Sequence, residues 1–199
     1  MAHMQDRQYM VLDVETRRSA RDVGGWHRAG DMGVSVAVVY DAGVDAFLPF
    51  EQDALPEMFR LLAQADLVVG FNIFGFDYAV LQPFADIRLQ ALPTLDLFVL
   101  VHRQLGRRVA LDNLAQATLN AGKSADGMAA LRWWKEGKLD QIAEYCRMDV
   151  DITRRLYLYG CEHGHVFCLD AQGVRIPVPA LWRSETAASG NRQSLVGCA

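Results

Sequence analysis

The sequence lacks the features that mark membrane-spanning or secreted proteins. None of its apolar runs reaches the roughly 18 residues that a membrane-spanning helix requires. The four cysteines come with neither a signal peptide nor the close spacing of a disulfide framework, which favours reduced thiols in an intracellular protein. A chain of 199 residues suits one domain with a substantial core. We therefore expect a soluble, cytoplasmic protein.

A surplus of positive charge is also absent. The 20 Lys and Arg residues face 24 Asp and Glu residues, which gives a net charge of −4 at pH 7. This balance is unlike that of a protein that grips duplex DNA over its whole surface. Local basic groups remain, and they are Arg17, Arg18, Arg21 and Arg28; Arg103, Arg107 and Arg108; and Lys135, Lys138 and Arg147. We interpret the second group as a solvated surface, whereas phosphate contact and solvation are equally open for the other two.

Apolar periodicity and turn residues predict an α/β chain. Strands are predicted at Tyr9–Val14, Gly33–Tyr40, Val44–Leu48, Leu67–Phe71 and Leu92–Leu95. Helices are predicted at Asp53–Ala65, Asp77–Phe84, Asp96–Gly106, Leu111–Leu119, Met128–Gly137 and Asp140–Tyr159, with Asp96, Asp112 and Asp140 as caps. The first three strands follow one another directly, which predicts an antiparallel meander. The fourth is an unbroken apolar run, which is typical of a parallel strand buried on both faces.

Three short patterns contain the residues that carry chemistry. Asp13 and Glu15 end the first predicted strand, where a period of two places both carboxylates on the same side. The second pattern, Phe-Asn-Ile-Phe-Gly-Phe-Asp, ends at Asp77. Tyr145 and Asp149 lie four residues apart in a predicted helix, and therefore on one face of it.

Carboxylates in this arrangement suit the hydrolysis of a phosphodiester. The charge of the phosphate repels an attacking water, and two divalent cations roughly 4 Å apart neutralise that charge while activating the water. Such cations prefer carboxylate oxygens as ligands. Each pattern alone is weak evidence, because an Asp-x-Glu arises by chance in roughly half of chains this long. Their order and their placement on predicted elements strengthen the prediction.

The ordered set resembles the DEDD 3′–5′ exonucleases of the ribonuclease H-like superfamily. The first pattern matches that family's opening Asp-x-Glu motif, and the second matches its middle motif, an Asn followed by an aromatic residue and Asp. The third resembles the tyrosine branch, because Tyr145 stands four residues before Asp149; the other branch has His five residues before it, where this chain has Glu144. The tyrosine branch includes the proofreading domains of family B DNA polymerases and many stand-alone or helicase-associated bacterial nucleases. The resemblance extends from about Tyr9 to Gly160.

The resemblance implies a fold, a cofactor and a set of roles. The fold would be a mixed five-stranded sheet flanked by helices on both faces. Two Mg²⁺ or Mn²⁺ ions would be held by four carboxylates: Asp13 would bridge both ions, Glu15 and Asp149 would complete the nucleophile side, and Asp77 would serve the leaving-group side. Tyr145 would hydrogen-bond and align the attacking water.

Residues beside the motifs are candidates for substrate binding, and these are Thr16, Phe71, Asn72 and Phe74. For Asn72 a substrate contact and a turn-stabilising side chain are both open, and Phe71 stands where family B proofreading domains often have Tyr. Phe74 stacks on a base only if its ring faces outward. The long loop 16–31 is interpreted as a solvated hairpin extension, with a lid over the 3′ end as the alternative.

The domain boundaries follow from composition and from the extent of the resemblance. Residues 1–4 have the composition of an expression-tag remnant. Residues 5–160 are the predicted exonuclease domain, 161–183 a C-terminal β-hairpin with strands at Val166–Leu169 and Gly173–Ile176, and 184–199 a disordered polar tail. A zinc site is not favoured in the hairpin region, because its candidate ligands lack paired-Cys spacing; they are Cys161, His163, His165 and Cys168.

The sequence thus predicts a metal-dependent 3′–5′ exonuclease that releases nucleoside 5′-monophosphates from single-stranded ends, with DNA slightly preferred. An exoribonuclease is the alternative among enzymes, since nothing in the motifs reads a 2′-hydroxyl. A nucleic-acid-binding or scaffolding module without turnover is the alternative outside enzymes, and the complete set of candidate catalytic residues argues against it. A polymerase or helicase is a candidate partner.

Overall fold

The computed structural model of the chain describes residues 8–121 and 128–182. The tag remnant predicted at residues 1–4 and the polar tail predicted at 184–199 lie outside these residues. No helix within the described ranges is long and apolar enough to cross a membrane.

A mixed five-stranded sheet forms the centre of the fold, as predicted. Its strands are β1 Tyr9–Thr16, β2 Val34–Asp41, β3 Ala46–Phe50, β4 Leu67–Gly70 and β5 Thr94–Asp96, in the spatial order β3-β2-β1-β4-β5. The first three strands form the predicted antiparallel meander, and β4 and β5 run parallel to β1. Strand β1 is therefore central, and the register between β1 and β2 shifts between Glu15 and Thr16.

The alternation of residues along β1 assigns its side chains to two separate cores. Met10, Leu12 and Val14 pack in one core, and Val11 packs in the other. Because successive residues of a strand point to opposite faces, Asp13 and Glu15 lie on the Val11 side. The sequence pattern of β1 thus directs both carboxylates toward the second core.

Helices cover both faces of the sheet, which confirms the predicted ribonuclease H-like architecture. They are α1 Ala20–Val23, α2 Leu55–Leu62, α3 Asp77–Leu81, α4 Leu97–Leu105, α5 Leu111–Leu119, α6 Met128–Lys135 and α7 Leu139–His163. Residues of α2 and α3 belong to the core that contains Met10, whereas residues of α4 to α7 belong to the core that contains Val11. Helix α7 therefore lies on the side of the sheet toward which Asp13 points.

Proline and capping account for the differences between predicted and observed helices. The predicted helix at 53–65 is a 3₁₀ turn, Gln52–Ala54, followed by α2, and Pro56 occupies the first turn of α2, where a missing N–H costs least. The predicted helix at 77–84 likewise divides into α3 and a 3₁₀ turn, Gln82–Phe84, that contains Pro83.

Among the three predicted caps, one is confirmed and two are wrong. Asp96 is the N-cap of α4, and its side chain accepts hydrogen bonds from the amides of Phe98 and Val99. The N-caps of α5 and α7 are instead Ala110 and Lys138. Asp112 and Asp140 lie within the first turns of these helices, where a negative charge is also favourable because of the helix dipole.

The loop after β1 is not the predicted hairpin extension. It contains α1 and a 3₁₀ helix, Trp26–Asp31. Ser19 and Asp22 form a capping box that starts α1, with the Ser19 amide donating to Asp22 Oδ2 at 2.9 Å. A Ser three residues before an acidic residue is a known helix-start signal, so this helix was open to prediction from the sequence.

The predicted C-terminal hairpin is present as β6 His165–Leu169 and β7 Arg175–Pro179, which pair in antiparallel fashion. It is fastened to α5 by side chains that hydrogen-bond the backbone of β6. Thr118 Oγ1 donates to the Phe167 carbonyl at 3.0 Å, and Asn113 Nδ2 donates to the Leu169 carbonyl at 3.1 Å. The hairpin therefore lies against the helical layer and outside the central sheet.

Candidate metal and active site

Three carboxylates from two elements meet at one end of the central strand. Asp13 and Glu15 project from β1, and Asp149 projects from α7. Each offers one oxygen such that the three oxygens all lie within 4.8 Å of one another, and all three residues are partly buried. Within the described residues this is the one group of three or more His, Cys, Asp or Glu side chains close enough to share an ion.

The buried Cys146 thiol docks α7 onto β1 at this point. Its Sγ donates to the Asp13 carbonyl oxygen at 3.3 Å and lies 3.4 Å from Asp13 Oδ2. Burial and the nearby negative charge of Asp13 raise the pKa of this thiol well above its usual value, so the thiol keeps its proton and remains a donor. Asp149 follows one helical turn later, so the contact sets the position of Asp149 relative to Asp13. The sequence patterns gave no indication of this role.

Asp77 lies beside the three carboxylates. It is the first residue of α3, on the opposite core from α7, and only 2% of its surface is exposed. Asp77 Oδ1 is buried without a hydrogen-bond partner among the described residues. A buried carboxylate oxygen left without a donor is costly, and a bound cation would relieve that cost.

The raised pKa values of the clustered carboxylates also suit a bound cation. Burial, followed by the charges of Asp77, Asp149 and Glu15, raises the pKa of Asp13 well above its usual value. Burial and the charges of Asp149 and Asp77 raise the pKa of Glu15 to about 8, and burial together with Asp96 raises that of Asp77 to about 8. Carboxylates so close together resist simultaneous ionisation, and positive charge between them would remove that resistance.

Tyr145 lies on α7 one turn before Asp149 and is 6% exposed. The ring of Trp133 on α6 packs edge-on against it, with 6.0 Å between ring centroids. Glu144 is exposed and pairs with Arg147 at 2.7 Å, so it is directed into solvent. Of these two neighbouring residues, Tyr145 is therefore buried near the carboxylates, whereas Glu144 is not.

A tight loop between β4 and α3 holds three of the four candidate substrate-binding residues, namely Phe71, Asn72 and Phe74. Asn72 has a left-handed backbone, with φ of 63°, and its carbonyl accepts hydrogen bonds from the amides of Gly75 and Phe76. Its side chain lies against Gly75, where an added Cβ would come within 2.6 Å of Asn72 Oδ1. Asn72 thus has a definite role in shaping the loop.

The other candidate substrate-binding residues differ in their exposure. Phe71 is partly buried and packs edge-on against Phe98. Phe74 is 38% exposed, so its ring is accessible, as base stacking requires. Thr16 is buried, and its hydroxyl donates to the Arg18 carbonyl at 2.9 Å, which occupies its hydrogen atom.

Two clefts meet at Asn72 and Arg108, beside this loop. One, of about 490 Å³, is completed by Phe71, Phe98, Val109 and Ala110. The other, of about 640 Å³, is completed by Trp26, Gly75 and Phe76. Phe76, which lines the larger of the two clefts, directly precedes Asp77 in the chain.

The members of the second basic group lie in different surroundings. Arg107 extends toward Cys168 and Leu169 of the hairpin, whereas Arg108 is exposed and lines both clefts. A separate polar cleft of about 540 Å³ is lined by three residues of the first group, Arg18, Arg21 and Arg28, together with Asp22 and Asp31. In the third group, Lys138 pairs with Glu136 at 2.6 Å and Arg147 with Glu144.

Comparisons with known proteins agree with the fold. A family model described as the RNase_H superfamily matches residues 30–159. Among solved structures, the chain is similar to the family B DNA polymerase from the hyperthermophilic archaeon Pyrobaculum calidifontis, with a TM-score of 0.62 and 18% sequence identity. The match covers 78% of this chain and 24% of the polymerase chain, and at this identity it shows the fold alone. No curated protein matches the sequence.

Proposed function

The chain belongs to the RNase_H superfamily, and from that membership and the carboxylate cluster we propose that it is a two-metal-dependent 3′–5′ exonuclease. It would hydrolyse the last phosphodiester of a single strand and release a nucleoside 5′-monophosphate. The observation that carries the proposal is the convergence of Asp13, Glu15 and Asp149 within 4.8 Å. A fold alone hosts many functions, so the argument rests on this site.

Asp13, Glu15, Asp77 and Asp149 would hold two Mg²⁺ or Mn²⁺ ions. Bound there, the ions neutralise the scissile phosphate and activate water at neutral pH. By resemblance to the DEDD exonucleases Asp13 would serve both ions, and the charges of all three other acids act on its carboxylate. By the same resemblance Asp77, on the helix that packs in the opposite core, would serve the leaving-group side.

The chain's own residues would supply alignment. The Tyr145 hydroxyl would hydrogen-bond the attacking water, and Tyr145 is held in place by burial and by Trp133. The placement of Glu144 in solvent supports the tyrosine branch of the DEDD exonucleases, because Glu144 occupies the position at which the other branch has its histidine. The loop from Asn72 to Phe76 would guide the strand toward the carboxylates.

The likeness to a family B DNA polymerase supports the proofreading type of exonuclease, although this chain spans only 24% of that polymerase. A polymerase or helicase partner remains part of the proposal. DNA is the preferred substrate in the proposal, with RNA as the alternative.

Degradation of end-labelled single strands tests the proposal. DNA and RNA strands with free and blocked 3′ ends, together with a circular single strand, would be incubated with Mg²⁺ or Mn²⁺. The expected result is shortening from free 3′ ends to 5′-monophosphates, with blocked and circular strands intact. Cleavage of the circle, or shortening from the 5′ end, would contradict the proposal.

A further inference from the structure

Trp26 exposes an unusually large apolar surface at a fixed position. Its indole is 72% exposed and packs edge-on against Phe76, with 6.0 Å between ring centroids. The loop that carries it is anchored on both sides, because Ala29 and Met32 are buried and the amide of Arg18 donates to the Met32 carbonyl at 3.1 Å. The indole is therefore presented to solvent on a well-packed loop.

Arg108 lines the same cleft, together with Asn72, Gly75 and Phe76. Its guanidinium lies over the ring of Phe98, with 4.6 Å from Cζ to the ring centroid. Arg108 forms no salt bridge with residues in the ranges 8–121 and 128–182, so its charge is available to an anion. Stacking on Phe98 orders the guanidinium and reduces the entropy lost when it binds a ligand.

The cleft between these residues suits a nucleotide. Its volume of about 640 Å³ falls within the range of about 300–1,000 Å³ typical of small-molecule sites. Its lining combines an aromatic face with one cation, which are the two groups that recognise a base and a phosphate without regard to sequence. Phe76 in its lining directly precedes Asp77, one of the carboxylates proposed to hold metal.

We propose that Trp26 and Arg108 form a clamp for the single strand next to the scissile phosphate, with the indole stacked on an unpaired base and the guanidinium bound to a backbone phosphate. The inference rests on the proposed exonuclease function and identifies what selects its substrate. A base that stacks on Trp26 must first leave its own helical stack, so the clamp favours frayed or single-stranded 3′ ends over paired ones.

The stacking half of the clamp is tested by equilibrium binding of a fluorescent single strand in Ca²⁺. Loss of one base–aromatic stack weakens binding by about 1–3 kcal/mol, so Trp26→Ala should raise Kd by roughly 5- to 150-fold, whereas Trp26→Phe should retain most of the affinity. His27→Ala is the matched control, since His27 is the exposed neighbour outside the cleft lining. Strands with abasic sites at the last two positions complete a double-mutant cycle. Wild type should bind the abasic strand more weakly than the intact strand. Trp26→Ala should bind the two strands equally well.

The phosphate half of the clamp is tested by salt dependence. Each phosphate contact on a single strand contributes a slope of about −0.7 to the logarithm of the binding constant against the logarithm of salt concentration. Arg108→Ala should therefore make the slope shallower by about 0.7. Arg107→Ala removes the same charge one residue away, on a side chain that extends to the hairpin, and should leave the slope unchanged.

Measurements of turnover distinguish failure of the clamp from failure of the proposed exonuclease function. Because the clamp holds ground state and transition state alike, Trp26→Ala should raise KM and leave kcat almost unchanged. If wild type binds the strand but hydrolyses none, the proposed function fails while the binding cycle still decides the clamp. If Trp26→Ala and Arg108→Ala bind like wild type, the clamp is refuted whatever the activity.

Discussion

Asp96 Oδ1 accepts a hydrogen bond from the amide of Asn72 at 2.8 Å, across 24 residues of sequence. Asp96 Oδ2 accepts another from the amide of Phe74 at 3.2 Å, while Oδ1 also caps the first turn of α4 through Phe98. One buried carboxylate thus fixes the loop that precedes Asp77 to the start of α4. The shape of the larger cleft depends on that loop.

Replacing Asp96 should therefore affect both stability and substrate binding. Asp96→Ala removes a helix cap and leaves buried amides without an acceptor, which should lower the free energy of unfolding by roughly 1–3 kcal/mol. Asp96→Asn keeps one acceptor oxygen and should lie between Asp96→Ala and wild type. Urea unfolding measures the stability, and KM for a single strand measures the effect of the loop on substrate binding. Asp140→Ala, in the first turn of α7 but not at its N-cap, is the control and should change little.

Asp13→Ala and Asp149→Ala should each abolish cleavage, because each removes an oxygen that holds a cation beside the scissile phosphate. The measurement is the initial rate on a labelled single strand with saturating Mg²⁺. Asp151→Ala removes a carboxylate from the same helix, where Asp151 pairs with Arg154 at 3.0 Å, and should remain active. An Asp149→Ala protein as active as wild type would exclude the proposed site.

Tyr145→Phe should be milder than the carboxylate variants, since it removes only the hydroxyl that aligns the water. A rate loss on the order of 10²–10⁴ is expected for a positioned group of this kind, with metal affinity unchanged. Single-turnover rates at saturating enzyme isolate the effect from binding. Tyr159→Phe, on the distal part of α7, serves as the control. A Tyr145→Phe rate equal to wild type would assign Tyr145 a packing role only.

Without metal, the cluster should make stability fall as pH rises. The pKa values of Glu15 and Asp77 are raised to about 8 in the folded state, from ordinary values of 4.5 and 3.8. Between those limits the native state binds more protons than the unfolded state, so the free energy of unfolding decreases with pH and levels off above about 8. In a chelator, the thermal midpoint should be higher at pH 5 than at pH 8.5.

Asp77→Asn provides the matched test of this pH effect. It removes one titrating charge, so its midpoint should fall less steeply with pH and should at least equal that of wild type at pH 8. Added Mg²⁺ should stabilise wild type, by about 2.7 kcal/mol at a hundredfold the dissociation constant, and stabilise Asp77→Asn less. A midpoint that rises with pH in chelator, or equal gains from Mg²⁺ in both proteins, would argue against a shared site.

Much of the fold was predictable because its signals are local. The apolar runs of β1, β2 and β4 set the sheet, and period-two alternation placed Asp13 and Glu15 on one face. The ends of elements depended on capping and proline: Ala110, not Asp112, caps α5. Strand β5 begins at Thr94, immediately after Pro93, which cannot donate to the sheet.

Other features of the site depend on tertiary contacts that no local pattern reports. The docking of α7 through Cys146, the exposure of Trp26 and the separation of Arg108 from Arg107 each arise where distant segments meet. Adjacent arginines with the same sequence signal end in different environments. The sequence therefore predicted the carboxylates that the structure brings together, whereas the cleft lined by Trp26 and Arg108 required the structure.

The most direct test of the central claim is the number of Mn²⁺ ions that the protein binds. Titration followed by electron paramagnetic resonance, in the presence of the product nucleoside 5′-monophosphate, should give two ions for wild type. Asp13→Asn, which alters the carboxylate assigned to both ions, should bind fewer and bind them more weakly. The absence of bound Mn²⁺ at millimolar concentration, or identical binding by wild type and Asp13→Asn, would contradict the account.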